Sequence, residues 1–146
     1  MGCDIHIHIE VKVDGCWEHY AAPNVGRNYS MFEKMAGVRG DEENAISPPK
    51  GLPDDMSHVT EKSAERWGGD GHSHSWLSLP EIAELSDWLS DNPDNTKTAL
   101  NLMARSLEYD VLHTYLEGNS FKGFLNYPED RPDWIEDVRF IFWFDN

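Results

Sequence analysis

Two His-x-His motifs contain the side chains that are best suited to chemistry, and an aspartate lies two residues before each motif. The residues are Asp4, His6 and His8 near the start, and Asp70, His72 and His74 in the middle of the chain. Imidazole nitrogen is a ligand for zinc, nickel and other transition metals, and carboxylate oxygen often completes such sites. The motifs therefore predict a site for zinc, manganese or nickel, with the four histidines as ligands.

Asp4 and Asp70 are the predicted catalytic groups of this site, each as a further ligand or as a base. A bound metal lowers the pKa of its water, and a neighbouring carboxylate or imidazole can then remove the proton. The pattern favours a metal-dependent hydrolase of phosphoesterase type. Arginines are scarce in this acidic chain, but Arg27 and Arg39 lie beside glycine-containing segments and could bind a phosphate with two hydrogen bonds.

Tyr29 and Trp76 complete the predicted substrate-binding set, because an aromatic ring can stack on a base or a sugar. Asp145 and Asn146 follow an apolar segment and could reach a site at the sheet edge, or form a frayed end. All these candidates also have a structural interpretation. The histidines could be solvated strand or turn residues, the arginines could pair with carboxylates, and the aromatic rings could belong to the core.

Residue periodicity predicts the strands that position these side chains. Apolar and polar residues alternate over 4–13, which is typical of a strand with one face in the core. Asp14-Gly15 predicts a two-residue hairpin turn, with a return strand over Cys16–Tyr20. Residues 138–144 are apolar on both faces, so we expect that strand to be central in the sheet.

Helices are predicted by apolar residues at helical spacing and by capping residues. The predicted ranges are 30–37, 57–67, 78–89 and 94–117, with capping boxes at Ser30/Glu33 and Ser78/Glu81. Residues 39–56 are expected to form a loop, and 74–77 a short strand or the approach to a helix. The sequence thus predicts one α+β domain over residues 1–146, with a small antiparallel or mixed sheet packed against three to four helices.

The charge of the chain is strongly acidic, with 27 acidic against 12 basic residues and a net charge of −15. Such a surface repels nucleic acids and anionic membranes, so direct nucleic-acid binding is not expected. No apolar run approaches the roughly 18 residues of a membrane span, and the first residues do not resemble a signal peptide. Cys3 and Cys16 are expected to be free thiols in a reducing cytoplasm, although a disulfide across the hairpin stays open.

Several segments together resemble a family of small proteins encoded by bacteriophages and prophages, and this resemblance spans nearly the whole chain. The segments are Gly2-Cys3-Asp4-Ile5-His6, Arg27-Asn28-Tyr29, Gly51-Leu52-Pro53 with Asp55, Asp70-Gly71-His72-Ser73-His74-Ser75-Trp76-Leu77 and Phe142-Trp143-Phe144-Asp145-Asn146. The resemblance implies a phage accessory protein that acts in the bacterial cytoplasm, and it implies no catalytic residue. The Asp-x-His-x-His pattern is also similar to the first-strand metal motif of amidohydrolases and PHP-type phosphoesterases, whose barrels are much larger than this chain.

Two classes of function follow from these observations. The first is the metal-dependent hydrolase, acting on a small phosphorylated ligand. The second is a counter-defence inhibitor without chemistry, either an acidic DNA mimic that binds a host defence complex, as an anti-CRISPR protein does, or a protein that sequesters a nucleotide signal. The acidic clusters at 41–43, 54–55, 129–137 and 145 fit the mimic. A structural metal in an interaction protein is a third interpretation, and either class could form a homodimer.

Overall fold

The computed structural model describes residues 2–92 and 135–146, which form an antiparallel sheet of four strands and three α-helices. This arrangement confirms the predicted α+β fold. The strands are β1 (Asp4–Val13), β2 (Cys16–Ala21), β3 (His72–Leu77) and β4 (Asp137–Asp145), and the helices are α1 (Tyr29–Ala36), α2 (His58–Trp67) and α3 (Leu79–Asp91). Short 3-10 turns cover Glu42–Asn44 and Gly68–Asp70. The helix predicted over 94–117 lies outside the described residues.

The sheet has the strand order β2-β1-β4-β3, so the first and last strands of the chain are its two central strands. The apolar run 140–144 lies in one of these central strands, and its residues are buried on both faces of the sheet. β1 pairs with β4 along nearly its whole length, from Asp4 opposite Asp145 to Lys12 opposite Asp137. This register brings the start of β1 beside the end of β4, where several of the polar candidates lie.

One face of the sheet packs against α1 and α3 and forms the hydrophobic core. β1 and β4 alternate onto it with isoleucines and phenylalanines, and each large apolar side chain that becomes buried contributes about 1.5–3 kcal/mol. The fully buried members include Ile7, Ile9, Met31, Phe32, Leu85, Phe142 and Phe144. This face fixes the orientation of β1, so the polar residues of that strand must point to the opposite face.

The opposite face is also covered, because helix α2 lies across the polar side chains of β1. Glu10 is fully buried there and accepts hydrogen bonds from Ser57 N at 2.9 Å and from the Thr60 hydroxyl at 2.7 Å. Its other oxygen pairs with Arg139, which is 4% exposed. The interpretation of the first-motif histidines as solvated strand residues is therefore wrong for His8, which is buried.

The ends of the helices follow local capping rules, with one correction to the prediction. Helix α1 is capped by Asn28 and not by Ser30, because Asn28 Oδ1 accepts a hydrogen bond from Met31 N at 3.1 Å. The capping box predicted at the start of α3 is confirmed, since Glu81 accepts from both the backbone and the hydroxyl of Ser78.

Two further features bear on the earlier expectations. Cys3 is buried and Cys16 is exposed, and both are free thiols. Across residues 2–92 and 135–146, no helix combines the length and the apolar character that crossing a membrane requires.

Candidate functional site

A polar cleft of about 560 Å³ opens where the start of β1, the end of β4 and the end of α2 meet. It is lined chiefly by polar and aromatic side chains, among them Asp4, His6, His8, Ser63, Trp67 and Asp145. The volume lies within the usual range for small-molecule sites. Three residues of the predicted site, Asp4, His6 and His8, therefore line one cleft.

His6 and Asp145 form a hydrogen-bonded dyad in the wall of this cleft. His6 Nε2 lies 2.8 Å from Asp145 Oδ2, and the side chains are 24% and 15% exposed. An ionised carboxylate can only accept, so Nε2 carries the proton and Nδ1 is the basic nitrogen of the neutral ring. The Trp67 ring packs against His6 with a centroid distance of 4.1 Å and limits the positions the imidazole can take.

His8 contacts a histidine that lies outside the two His-x-His motifs. His8 Nδ1 lies 3.0 Å from His19 Nε2 on β2, so one ring donates to the other. Burial, reinforced by His19, lowers the pKa of His8 to about 4. Burial also lowers the pKa of His19. Both rings are therefore neutral at physiological pH, and the nitrogen that accepts the hydrogen bond between them is unprotonated.

Trp143 occupies the middle of this face and separates the two His-x-His motifs. Its ring is stacked with His8 at a centroid distance of 5.1 Å and with His74 at 6.0 Å. The indole is fully buried, and its Nε1 has no hydrogen-bond partner within the described part of the chain. Burial lowers the pKa of His74, with His72 as a further cause. His74 thus shares a face with His6 and His8 but is separated from them by the indole.

A bulge in β3 sends the two histidines of the second motif to opposite faces of the sheet. His72 pairs with Phe144 and Ser75 with Phe142, so three steps along β3 match two steps along β4. Ser73 is the residue that absorbs the extra step, with a left-handed φ of 54°. His72 therefore lies on the face of Phe144, away from the polar cleft.

His72 belongs to a second, smaller cleft of about 300 Å³ beyond the end of α1. Its Nδ1 lies 3.0 Å from Ser73 Oγ, and its Nε2 lies 3.3 Å from Asn146 Oδ1. Asp145 and Asn146 are consecutive residues and extend to opposite faces of the sheet. Asp145 therefore contacts His6 of the first motif, and Asn146 contacts His72 of the second.

The predicted substrate-binding residues are engaged in several separate contacts. Arg27 forms an ion pair with Asp4 at 2.8 Å, and its hydrogen bond lowers the pKa of that carboxyl. Arg39 lies over the ring of Tyr29 at 5.3 Å.

The remaining two predicted residues lie away from the polar cleft. The ammonium of Lys50 lies over the ring of Trp76, 3.9 Å from the ring centre. Asp70 is exposed in the turn before β3.

The arrangement of the four histidines does not match a single metal shell. Over residues 2–92 and 135–146, no group of three or more His, Cys, Asp or Glu side chains is placed to hold a metal ion. His6 Nε2 is bonded to Asp145, and His72 lies on the other face. His8 Nδ1 lies 3.0 Å from Nε2 of His19, a histidine outside the two motifs. The metal predicted from the sequence therefore stays a prediction.

Comparison with models of protein families, with curated proteins and with solved structures finds no match to this chain.

Proposed function

We propose that this protein is a small-molecule hydrolase in which His6 activates a water molecule in the polar cleft. The observation that carries the proposal is the 2.8 Å hydrogen bond between His6 Nε2 and Asp145 Oδ2 at the cleft wall. An imidazole held by a carboxylate is a frequent general base, because the carboxylate fixes its orientation and stabilises the imidazolium that forms.

The proton path follows from the hydrogen bonds of the dyad. His6 Nδ1 accepts a proton from water as the water oxygen attacks the substrate, while Nε2 keeps its own proton and donates a hydrogen bond to Asp145. The imidazolium then donates the Nδ1 proton to the leaving oxygen, which restores the neutral ring. The Trp67 ring, 4.1 Å from the imidazole, helps to hold the base in place during the cycle.

The charges in the cleft favour a substrate with little negative charge. Asp4 is neutralised by Arg27, whereas Asp145 contributes a carboxylate next to the reacting imidazole. A substrate with several phosphate charges would be repelled by that carboxylate and by the net charge of −15. Carboxylic esters and singly charged phosphodiesters are therefore the substrate classes to which the proposal applies, and the phosphodiester keeps the phosphoesterase type predicted from the sequence.

The test is hydrolysis of chromogenic esters by the full chain and by two variants. His6→Gln keeps a polar side chain of similar length but removes the base, and His58→Gln changes an exposed histidine at the start of α2 as the control. Nitrophenyl acetate and bis(nitrophenyl) phosphate represent the two substrate classes. We expect kcat for bis(nitrophenyl) phosphate to fall by about 100-fold or more in His6→Gln, the usual contribution of a general base, and to be unchanged in His58→Gln.

The proposal is wrong if His6→Gln, with unaltered circular dichroism, hydrolyses both esters as fast as the wild type. A wild-type protein that binds a nucleotide in calorimetry without any turnover would also overturn it. That second result would favour the sequestering function, with the same cleft as the binding site.

A further inference from the structure

The second cleft contains a serine whose surroundings differ from those of an ordinary turn residue. Ser73 has a φ of 54° although it is not glycine, and it sits at the bulge of β3. A left-handed backbone conformation is unfavourable for any L residue that has a Cβ. The surrounding structure must offset this cost in free energy. Such strain is common where a side chain must be presented at a fixed position. Here it directs the hydroxyl of Ser73 to the imidazole of His72.

The hydrogen bonds of His72 determine which of its nitrogens is basic. Asn146 Oδ1, 3.3 Å from Nε2, can only accept, so Nε2 carries the proton. Nδ1 is then the acceptor for the Ser73 hydroxyl at 3.0 Å. A hydroxyl bonded to a base that a third group orients is the arrangement from which enzymes generate a nucleophilic alkoxide.

The cleft around Ser73 is large enough for a small acyl group. Its volume is about 300 Å³, and its wall includes Gly37, Arg39, Glu42, His72, Ser73 and Asn146. This wall contains one guanidinium and one carboxylate side chain, so their opposite charges largely cancel. An uncharged ester of a short carboxylic acid fits this volume and charge.

We propose that Ser73 is a nucleophile for small uncharged esters, with His72 as its general base and Asn146 as a positioning residue. This site is on the opposite face of the sheet from the His6–Asp145 dyad. The proposal does not depend on the function proposed for the polar cleft. Because Ser73 would act on uncharged esters, turnover of the charged bis(nitrophenyl) phosphate reports on the dyad alone, and the two proposals can fail independently.

The covalent step is balanced within these groups and water. Ser73 Oγ forms a bond to the carbonyl carbon and gives its proton to His72 Nδ1. The bond from that carbon to the alkoxide breaks, and the imidazolium protonates the leaving alcohol. Water then attacks the acyl carbon, its proton passes through His72 to Ser73 Oγ, and the carboxylic acid is released.

The test is covalent labelling with a small alkyl fluorophosphonate, followed by peptide mapping of the full chain. The serine oxygen displaces fluoride at phosphorus, so a stable adduct marks an activated hydroxyl. Ser73→Gly removes the hydroxyl and suits the positive φ. Ser47→Ala is the control, since the Ser47 hydroxyl donates to the carbonyl of Pro48 and not to an imidazole. We expect one adduct on Ser73, lost in Ser73→Gly and retained in Ser47→Ala and in His6→Gln.

Variants of the supporting residues distinguish activation from simple exposure of the serine. His72→Gln is expected to slow labelling by about tenfold or more, because the base is gone. Asn146→Leu should slow it as well, whereas Asn146→Asp, which still accepts from Nε2, should restore the rate. Absence of an adduct on Ser73 in folded protein would overturn the proposal. So would a rate in His72→Gln equal to that of the wild type.

Discussion

Glu10 on β1 and Arg139 on β4 form a buried ion pair beneath helix α2. Arg139 donates to Glu10 Oε1 from Nε at 3.0 Å and from Nη2 at 2.7 Å. The guanidinium lies 4.0 Å from the centre of the Trp17 ring and also donates to Asp55 at 2.8 Å. Burial alone would raise the pKa of Glu10, but the hydrogen bonds from Ser57 and Arg139 outweigh it, and the pKa is lowered. The pair holds α2, and with it one wall of the polar cleft, against the sheet.

Replacing Glu10 by Gln should therefore destabilise the fold strongly. The change removes the buried carboxylate and leaves Arg139 paired with Asp55, whose side chain is 63% exposed. Breaking a buried ion pair typically costs about 3–5 kcal/mol. Denaturant unfolding of Glu10→Gln measures the loss. Glu65→Gln is the control, because Glu65 pairs with Lys62 on the surface and both side chains are more than half exposed. A loss below about 1 kcal/mol in Glu10→Gln would contradict the assigned role of this pair.

The neutral His8 predicts a loss of stability in mild acid. Its pKa is lowered from 6.5 to about 4, with burial as the main cause. The unfolded chain therefore binds a proton that the folded chain does not bind between these pH values. The free energy of unfolding should fall as the pH drops from 6.5 to about 4, by up to about 3 kcal/mol from this 7%-exposed group.

His8→Asn isolates this contribution from the other acid-sensitive groups. The pKa values of His19 and His74 are also lowered, so the wild type contains further contributions of the same sign. We expect the slope of unfolding free energy against pH to be smaller in His8→Asn than in the wild type. An exposed-site variant, His58→Gln, should keep the wild-type slope. Identical slopes in all three proteins would show that His8 is not buried in its neutral form.

Features encoded by neighbouring residues could be predicted from the sequence almost to the residue. The alternation over 4–13 predicts β1 with the bounds that are observed. The predicted range 57–67 starts one residue before α2, and the range 138–144 is one residue shorter than β4 at each end. His19 had a usable signal too. The Asp14–Gly15 turn pairs Val13 with Cys16, and counting along both strands puts His19 opposite Glu10.

Features that depend on distant residues could not be predicted in this way. The Glu10–Arg139 pair joins positions 129 residues apart, so no local pattern indicates that α2 covers the polar face of β1. The bulge at Ser73 could not be predicted from the sequence either. A strict two-residue alternation would put His72 and His74 on one face, and only the pairing of β3 with β4 reveals the extra residue. The composition of the candidate site was therefore partly predictable, whereas its division between two faces was not.

The orienting role of Asp145 predicts a loss of activity without a loss of structure. Asp145→Asn can turn its amide donor toward His6 and favours the wrong ring tautomer, and it no longer stabilises the imidazolium. We expect kcat for bis(nitrophenyl) phosphate to fall by about 100-fold or more, with little change in Tm. Asp70→Asn is the matched control, since Asp70 is exposed outside the cleft. Equal loss in both variants would indicate that acidity in general, and not the dyad, is required.

Chelation separates metal-free activation of water by His6 from the metal-dependent hydrolysis that the His-x-His motifs predict. Two imidazole nitrogens bound to one zinc ion lie about 3.3 Å apart, since each Zn–N distance is about 2.0–2.1 Å. His8 Nδ1 and His19 Nε2 are 3.0 Å apart, so a transition metal that binds here should be lost in His19→Gln. Because His6 acts on water directly in our proposal, we expect turnover to survive treatment with dipicolinate. If turnover is lost and zinc, manganese or nickel restores it, direct activation by the dyad is wrong and the metal prediction is supported.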